Sequence, residues 1–407
     1  MSRFKVRSTL FTGLIALLLT AAVAAQEIEM IDGVRVVHNG KGVWGDTPAV
    51  TLHLEKTLGS LETLDENFMF YLPADIARDK EGNLYILDQG NYRIQKLDAE
   101  GNFIKSFGSE GQGPAEFMRP LSIDIDNDGS MYIIDQGNNR IQILNPGGSN
   151  KGTIPLESGA GYTRLLSNGN MLMAAQGGMM MFRMEMLDNP QVEPLFHILD
   201  QTGEKTGEFG DAKEFNDFLL NRMANRISFT TDSEDNVYVS FRFQNRIEKY
   251  DPSGKAVLRI DRELNYEESN PEPNKDNLSV SGRAGNQNVR ISMPELNLIS
   301  EAVDVDAKGR IWVVTAARQE REEETVQQMV AVTMDGGRRS QSIQLTGATD
   351  LTETDMYKIE IFSPDGILLG SIPLTHFCHG MRIFDDKLYI VDQTRGMQYY
   401  EYRIIEK

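Results

Sequence analysis

The chain has 407 residues, 40% of them hydrophobic and 25% charged, which supplies a large buried core and rules out a disordered or fibrous protein. Its net charge of −19 becomes −22 once Arg3, Lys5 and Arg7 are removed, a field that repels phosphate backbones and excludes nucleic acid as a partner. Cys378 is the single cysteine, so an intrachain disulfide, paired-thiol chemistry and cysteine-rich zinc sites are excluded as well.

Residues 1–25 read as a secretory signal peptide. Arg3, Lys5 and Arg7 precede an apolar run over 10–23, and the small residues Ala24 and Ala25 follow, with cleavage expected after Ala25. The run is shorter than the roughly 20 residues a spanning helix needs, and no later segment is apolar for long enough. The mature chain is therefore expected outside the cytoplasm, periplasmic or secreted. Residues 26–49 follow as an amino-terminal extension, with a hairpin over 28–37 turning at Asp32-Gly33 and lying outside the main body.

From residue 50 onward the chain repeats itself. The segment from Asp79 through Tyr85, Asp88 and Arg93 to Gln95 matches that from Asp126 through Tyr132, Asp135 and Arg140 to Gln142, at a constant offset of about 47 residues. Weaker copies lie near 168–172, 235–239, 308–313 and 386–393. Each reads as short alternating strands broken by turns such as Glu81-Gly82, Asp128-Gly129 and Ser253-Gly254. In the first copy the strands fall near 75–78, 84–88, 93–97 and 103–107. Repeated four-stranded antiparallel units are propeller blades, so 50–407 is predicted to be an all-β, six-bladed β-propeller. The sixth copy ends after its third strand, and Val50 to Gly59 resembles the fourth strand of the first copy, Asn102 to Gly108. The amino-terminal strand is thus predicted to complete the last blade.

At Tyr-Ile-x-Asp followed by Gln-Gly-Asn-x-Arg-Ile, the sequence resembles the NHL-repeat family, with Asn91-Tyr92-Arg93 and Asn138-Asn139-Arg140 standing where that family has Asn-His-Arg. The resemblance implies a six-bladed propeller with a binding role; propellers of this kind also include lyases and lactonases.

Within each blade, letter the strands a to d outward from the axis. The a–b and c–d turns are short, whereas the long insertions, over 176–190, 211–225, 265–296 and 316–355, all fall in b–c or d–a connections. Those share one face, which is read as the binding face. Asp88-Gln89, Asp135-Gln136 and Asp392-Gln393 end strand b in the first, second and sixth copies. They are binding candidates, although an Asp there ordinarily caps the turn. Arg242 and Arg395 on the same face are further candidates. So are Met179 and Met180, whose flexible thioethers suit an adaptable contact surface.

Strand a is expected to line the central channel with Asp75, Ser122, Asp124, Arg164, Ser228, Thr230 and Asp304. Asp124-x-Asp126-x-Asp128-Gly129 mimics a calcium loop, but a strand follows where a helix should begin, and it is read as an a–b turn. Of the five histidines, only His376 and His379 lie near a strand a, too few for a lyase-type zinc site. The expectation is an exported, non-catalytic binding propeller for a protein, peptide or glycan, with no cofactor. The alternative is a divalent-metal-dependent lactonase or other hydrolase, or a lyase, at the channel, with Asp75, Asp124 and Asp304 as candidate Ca2+ ligands.

Overall fold

The computed structural model describes residues 26–407 apart from 157–160, 176–191, 273–277, 284–285, 292–293 and 336–337. Six sheets contain the expected blades, each of four antiparallel strands. Blade 1 is Pro73–Arg78, Leu84–Asp88, Arg93–Leu97 and Phe103–Phe107; blade 2 is Pro120–Ile125, Met131–Asp135, Arg140–Leu144 and Asn150–Pro155. Blade 3 is Thr163–Leu165, Met171–Ala174, Phe196–Leu199 and Lys205–Phe209; blade 4 is Ile227–Thr231, Val237–Phe241, Ile247–Tyr250 and Ala256–Arg262. Blade 5 is Ser300–Val305, Ile311–Ala316, Glu353–Phe362 and Leu368–His376. Blade 6 takes Gly380–Phe384, Lys387–Asp392 and Gln398–Glu406 from the end of the chain and Val50–Leu58 from its beginning.

The turns explain why the copies repeat. In the a–b turns of blades 1, 2, 4 and 5, one Asp side chain (Asp79, Asp126, Asp232, Asp306) accepts two backbone N–H groups of its own turn. Asp126, the centre of the calcium-like sequence, thus does the work of its counterparts. In all four the same carboxylate also takes a donor from the aromatic residue of strand b: Tyr85 at 3.1 Å, Tyr238 at 2.9 Å, Trp312 Nε1 at 2.9 Å, and Tyr132 on Asp126. A turn that must bend back and a buried ring with a polar atom are satisfied by one group.

The core lies between the blades. A cluster led by Tyr85, Ile94, Phe117 and Ile133 joins blades 1 and 2, and others join each successive pair around the circle. The cluster of Leu58, Phe70, Ile76, Leu84, Tyr389 and Tyr399 joins blade 6 to blade 1 and completes the ring. Strand Val50–Leu58 pairs antiparallel with Gln398–Glu406 from Val50 opposite Glu406 to Leu58 opposite Tyr399. Its likeness to blade 1 strand d extends to its end. Gly59 and Gly108 both have positive φ, at +92° and +94°, and a Cβ on either would collide with the ring of Phe70 or Phe117.

The amino-terminal hairpin is part of a blade as well. Val34–Asn39 pairs parallel with Ala256–Arg262, and Gln26–Ile31 pairs outside it, making blade 4 six-stranded. His38 bridges Asp261 at 2.7 Å and Glu29 at 3.2 Å, and these two carboxylates raise its pKa against partial desolvation. The chain then passes along blade 5, where the N–H groups of Val43 and Trp44 donate to the carbonyls of Leu368 and Leu369, before entering blade 6. One segment therefore belts three consecutive blades.

Candidate functional site

The Asp residues ending strand b are buried turn anchors. Asp88 accepts from Tyr71 N at 2.7 Å, Asn91 Nδ2 at 2.8 Å and Arg93 Nε at 2.8 Å. Asp135 accepts from Met118 N, Asn138 Nδ2 and Arg140 Nε in the same pattern, and Asp392 accepts from the backbone N–H groups of Thr394, Arg395 and Gly396. None of these three side chains is open to a ligand. Gln89 and Gln393 each donate to the next blade, to Pro120 O at 2.8 Å and Ala74 O at 3.3 Å; Gln136 is buried. Arg395 lies over the Phe377 ring and donates to Glu320 Oε1 and Glu324 O, fastening the blade 5 insertion. Met179 and Met180 lie outside the described residues.

Of the strand a residues expected at the channel, Asp75, Arg164 and Ser228 line the cavity described below, and most of the polar ones stitch neighbouring blades. Asp75 accepts from Ile123 N at 3.2 Å, Ser122 from Thr163 N at 3.2 Å, Asp124 from Leu165 N at 2.9 Å, Ser228 from Val303 N at 3.3 Å and Asp304 from Ile383 N at 2.6 Å. Each joins one blade to the next, a use that a parallel-facing pair of inner strands, which share no ladder, requires. Asp75, Asp124 and Asp304 thus sit on separate blades with separate partners. Among the described residues no group of three His, Cys, Asp or Glu side chains is close enough to hold one metal ion.

A cavity of about 250 Å³ opens where the channel meets the insertion-bearing face. Arg242 and Gln393, expected from sequence, line it, and so does Asp75. His379, weighed above only as a zinc ligand, lines it too, and the residues that sequence reading passed over are Tyr162, Arg226, Glu301, Arg382 and Tyr399. Tyr162, Arg226 and His379 immediately precede strand a of blades 3, 4 and 6, and Arg242 immediately follows strand b of blade 4. These positions ring the mouth. Arg164 and Arg382 occupy strand a itself and form the floor.

The walls carry mostly matched charges. Arg164 pairs with Asp75 at 3.0 Å, Arg242 with Glu301, and Arg382 with Asp304 at 3.7 Å. Arg226 is exposed at the rim and makes no ion pair or hydrogen bond through its guanidinium among the described residues, with Glu301 the strongest favourable charge acting on it. Behind the lining, four buried polar atoms closed off from the cavity have no hydrogen-bonding partner among the described residues: Glu301 Oε2, Arg164 Nε, Arg382 Nη1 and the Tyr399 hydroxyl. Burial raises the Glu301 pKa, against the pull of Arg242. His379 is pushed down to about 3 by burial, Arg395 and Arg242. Its Nδ1 accepts from Gln393 N at 3.2 Å, which places the Nε2 hydrogen toward Thr394 Oγ1 at 3.2 Å.

Similar folds occur among solved structures. A DUF4221-family protein of Bacteroides vulgatus ATCC 8482 aligns over 88% of this chain and 99% of its own, with 11% identity and a TM-score of 0.55. A Bacteroides fragilis NCTC 9343 protein, named as an exported protein, aligns over 91% and 99%, with 12% identity and a TM-score of 0.53. At such identities the likeness is one of fold. No curated protein matches the sequence. Residues 54–289 match the model of a family, DUF5128, described as a 6-bladed beta-propeller.

Proposed function

This chain belongs to the DUF5128 family of six-bladed β-propellers, and from that premise we propose that it is an exported binding protein that takes a polar ligand, a peptide or glycan, into the channel mouth on the insertion-bearing face. The observation that carries this reading is the gathering of Asp75, Arg164, Arg226, Arg242, Glu301 and Arg382 around one cavity of about 250 Å³, since a concave site with several fixed polar groups around it is the form a specific binding pocket takes.

Binding without catalysis fits the chemistry of the wall. His379 has both ring nitrogens engaged and a proton affinity far too low for a base near neutral pH. Export rests on the basic, apolar and small-residue order of residues 1–25, which lie outside the described residues. No helix among the described residues is long and apolar enough to cross a membrane. The turn anchors Asp88 and Asp135, with their Asn and Arg partners, support kinship with NHL repeats in blades 1 and 2.

Hydrogen exchange on the mature chain, with and without a panel of oligosaccharides and peptides, tests the site. A bound ligand is expected to slow exchange in residues 225–229, 299–303 and 378–382. Protection confined to the a–b turns or to the outer hairpin would contradict it.

A further inference from the structure

Within the blade 5 insertion, Val326–Asp335 pairs antiparallel with Arg338–Gly347, from Val326 opposite Gly347 to Asp335 opposite Arg338. Among the described residues these two strands pair with no others. The base of the hairpin is fixed. Arg318 donates to both carboxylate oxygens of Glu324, Arg395 donates to the Glu324 carbonyl at 2.7 Å, and Ala348 N donates to Thr325 O at 3.2 Å. On the second strand the Tyr71 hydroxyl, from the segment leading into blade 1, donates to Ile343 O at 2.7 Å. The first strand has no such contact among the described residues. Its outward N–H and C=O groups therefore form an open edge ten residues long, about 33 Å at the usual rise of a strand.

The composition of that edge sets it apart. The outermost strand of each blade carries a residue that discourages edge pairing: Lys105, Lys151, Lys205, Glu29, Pro373 and Lys56, in blades 1 to 6. Val326 to Met334 contains no charge and no proline, and β-branched residues stand at Val326, Val330, Val332 and Thr333. Nothing in its sequence guards it against a further strand.

The two ends of the hairpin select which strand. Arg338 and Arg339 follow Asp335 at the tip, so the tip is basic in a chain of net charge −19. Glu322 and Glu323, exposed just before the first strand, enter no ion pair among the described residues and make the base acidic. Two such hairpins laid edge to edge and antiparallel bring each basic tip to the other's acidic base; a parallel pair sets tip against tip and base against base. The hairpin is thus complementary to itself under a two-fold axis, the commonest symmetry of protein dimers.

We infer that the chain forms a two-fold dimer in which Val326–Asp335 pairs antiparallel with the same strand of a second copy, about a centre at Val330–Ala331, making one four-stranded sheet between two propellers. Light scattering on the full mature chain over a range of concentrations tests this. A reversible dimer is expected, with amide exchange in Val326–Asp335 slowing as concentration rises. Ala331→Lys, which sets like charges together at the axis, should weaken the dimer at least about tenfold, and so should Arg338→Glu with Arg339→Glu, the scale of several exposed charge contacts acting together. Adding Glu322→Lys and Glu323→Lys to that tip reversal should restore dimerisation, because tip and base match again with their signs exchanged.

A chain that stays monomeric at ~0.1 mM, a weak limit for specific association, would overturn the inference. So would a dimer indifferent to Ala331→Lys, or a fourfold variant no better than the tip reversal alone. A monomer whose strand is protected from exchange only by an added unrelated peptide would give the edge to another partner and overturn the dimer as well.

Discussion

A mature chain lacking Gln26 to Leu58 is expected not to fold to a cooperative monomer. The missing segment provides blade 6 strand d, the outer strands of blade 4 and the strap along blade 5. Its buried side chains include Val36, Val37, Val50 and Leu58, each contributing about 1.5–3 kcal/mol through burial. Their sum alone rivals the whole net stability of a typical domain, about 5–15 kcal/mol. Polar losses add to it. Lys56 no longer faces Glu401, whose side chain is fully buried, at 3.6 Å, and the Glu55 pair with Arg403 at 2.6 Å disappears. The cluster between blades 6 and 1 opens, leaving an unpaired edge at Gln398–Glu406. Removing only Gln26 to Ile31 should leave a folded protein, because that outermost strand is largely exposed. Circular dichroism melts of the two variants separate these outcomes; a cooperative melt of the longer deletion near the parent's temperature would contradict the role assigned to closure.

Breaking the ion pair between Arg262 and Glu360 is expected to cost about 3–5 kcal/mol, the scale for stranding one charge of a buried pair. The two side chains are 0% and 2% exposed and meet at 2.8 Å. Arg262, at the end of blade 4, also donates to Ser300 Oγ, Thr315 Oγ1 and Asn245 Oδ1, so it holds strands a, b and c of blade 5 at once. Glu360→Ala leaves the Arg262 guanidinium without a counter-charge, whereas Arg262→Ala leaves Glu360 with only Lys358, at 2.7 Å, as its ionic partner. The double variant Arg262→Met with Glu360→Leu should recover much of the loss.

Acid should act in the same direction. Burial pushes the Glu360 pKa up, but Arg262 and Lys358 outweigh it and leave it below the ordinary value of 4.5. Its contribution is therefore present above that value and is lost as pH falls through the lowered one. Urea unfolding of the single and double variants measures the cost; a change under about 1 kcal/mol in both single variants would show the pair to be dispensable.

The scaffold was legible because it repeats. Turn aspartates, strand b aromatics and the Asp-Gln ends recur at fixed spacing since each blade solves the same bending and burial problem. Strand closure was legible for the same reason, through the likeness of Val50 to Gly59 and Asn102 to Gly108. The docking of the hairpin on blade 4 was not, because adding a strand to an edge is done by backbone groups that carry no side-chain signature. The site was only half legible for the converse reason. Arg226 and Glu301 occur once each, where the copies diverge, so a reading that seeks recurrence passes over them. A signal did exist: arginine at 164 and 382 stands on the inner strand where other blades carry Asp124, Thr230 and Asp304. The candidates Asp88, Asp135 and Asp392 were noticed because they repeat, and they repeat because they cap turns.

A crystal structure of the mature chain with an oligosaccharide or peptide that slows exchange at 225–229, 299–303 and 378–382 is the most direct test. The ligand should lie in the channel mouth against Arg226 and Arg242. A mouth holding only water, with the ligand seated elsewhere on the molecule, would contradict the assignment of the mouth as the binding site.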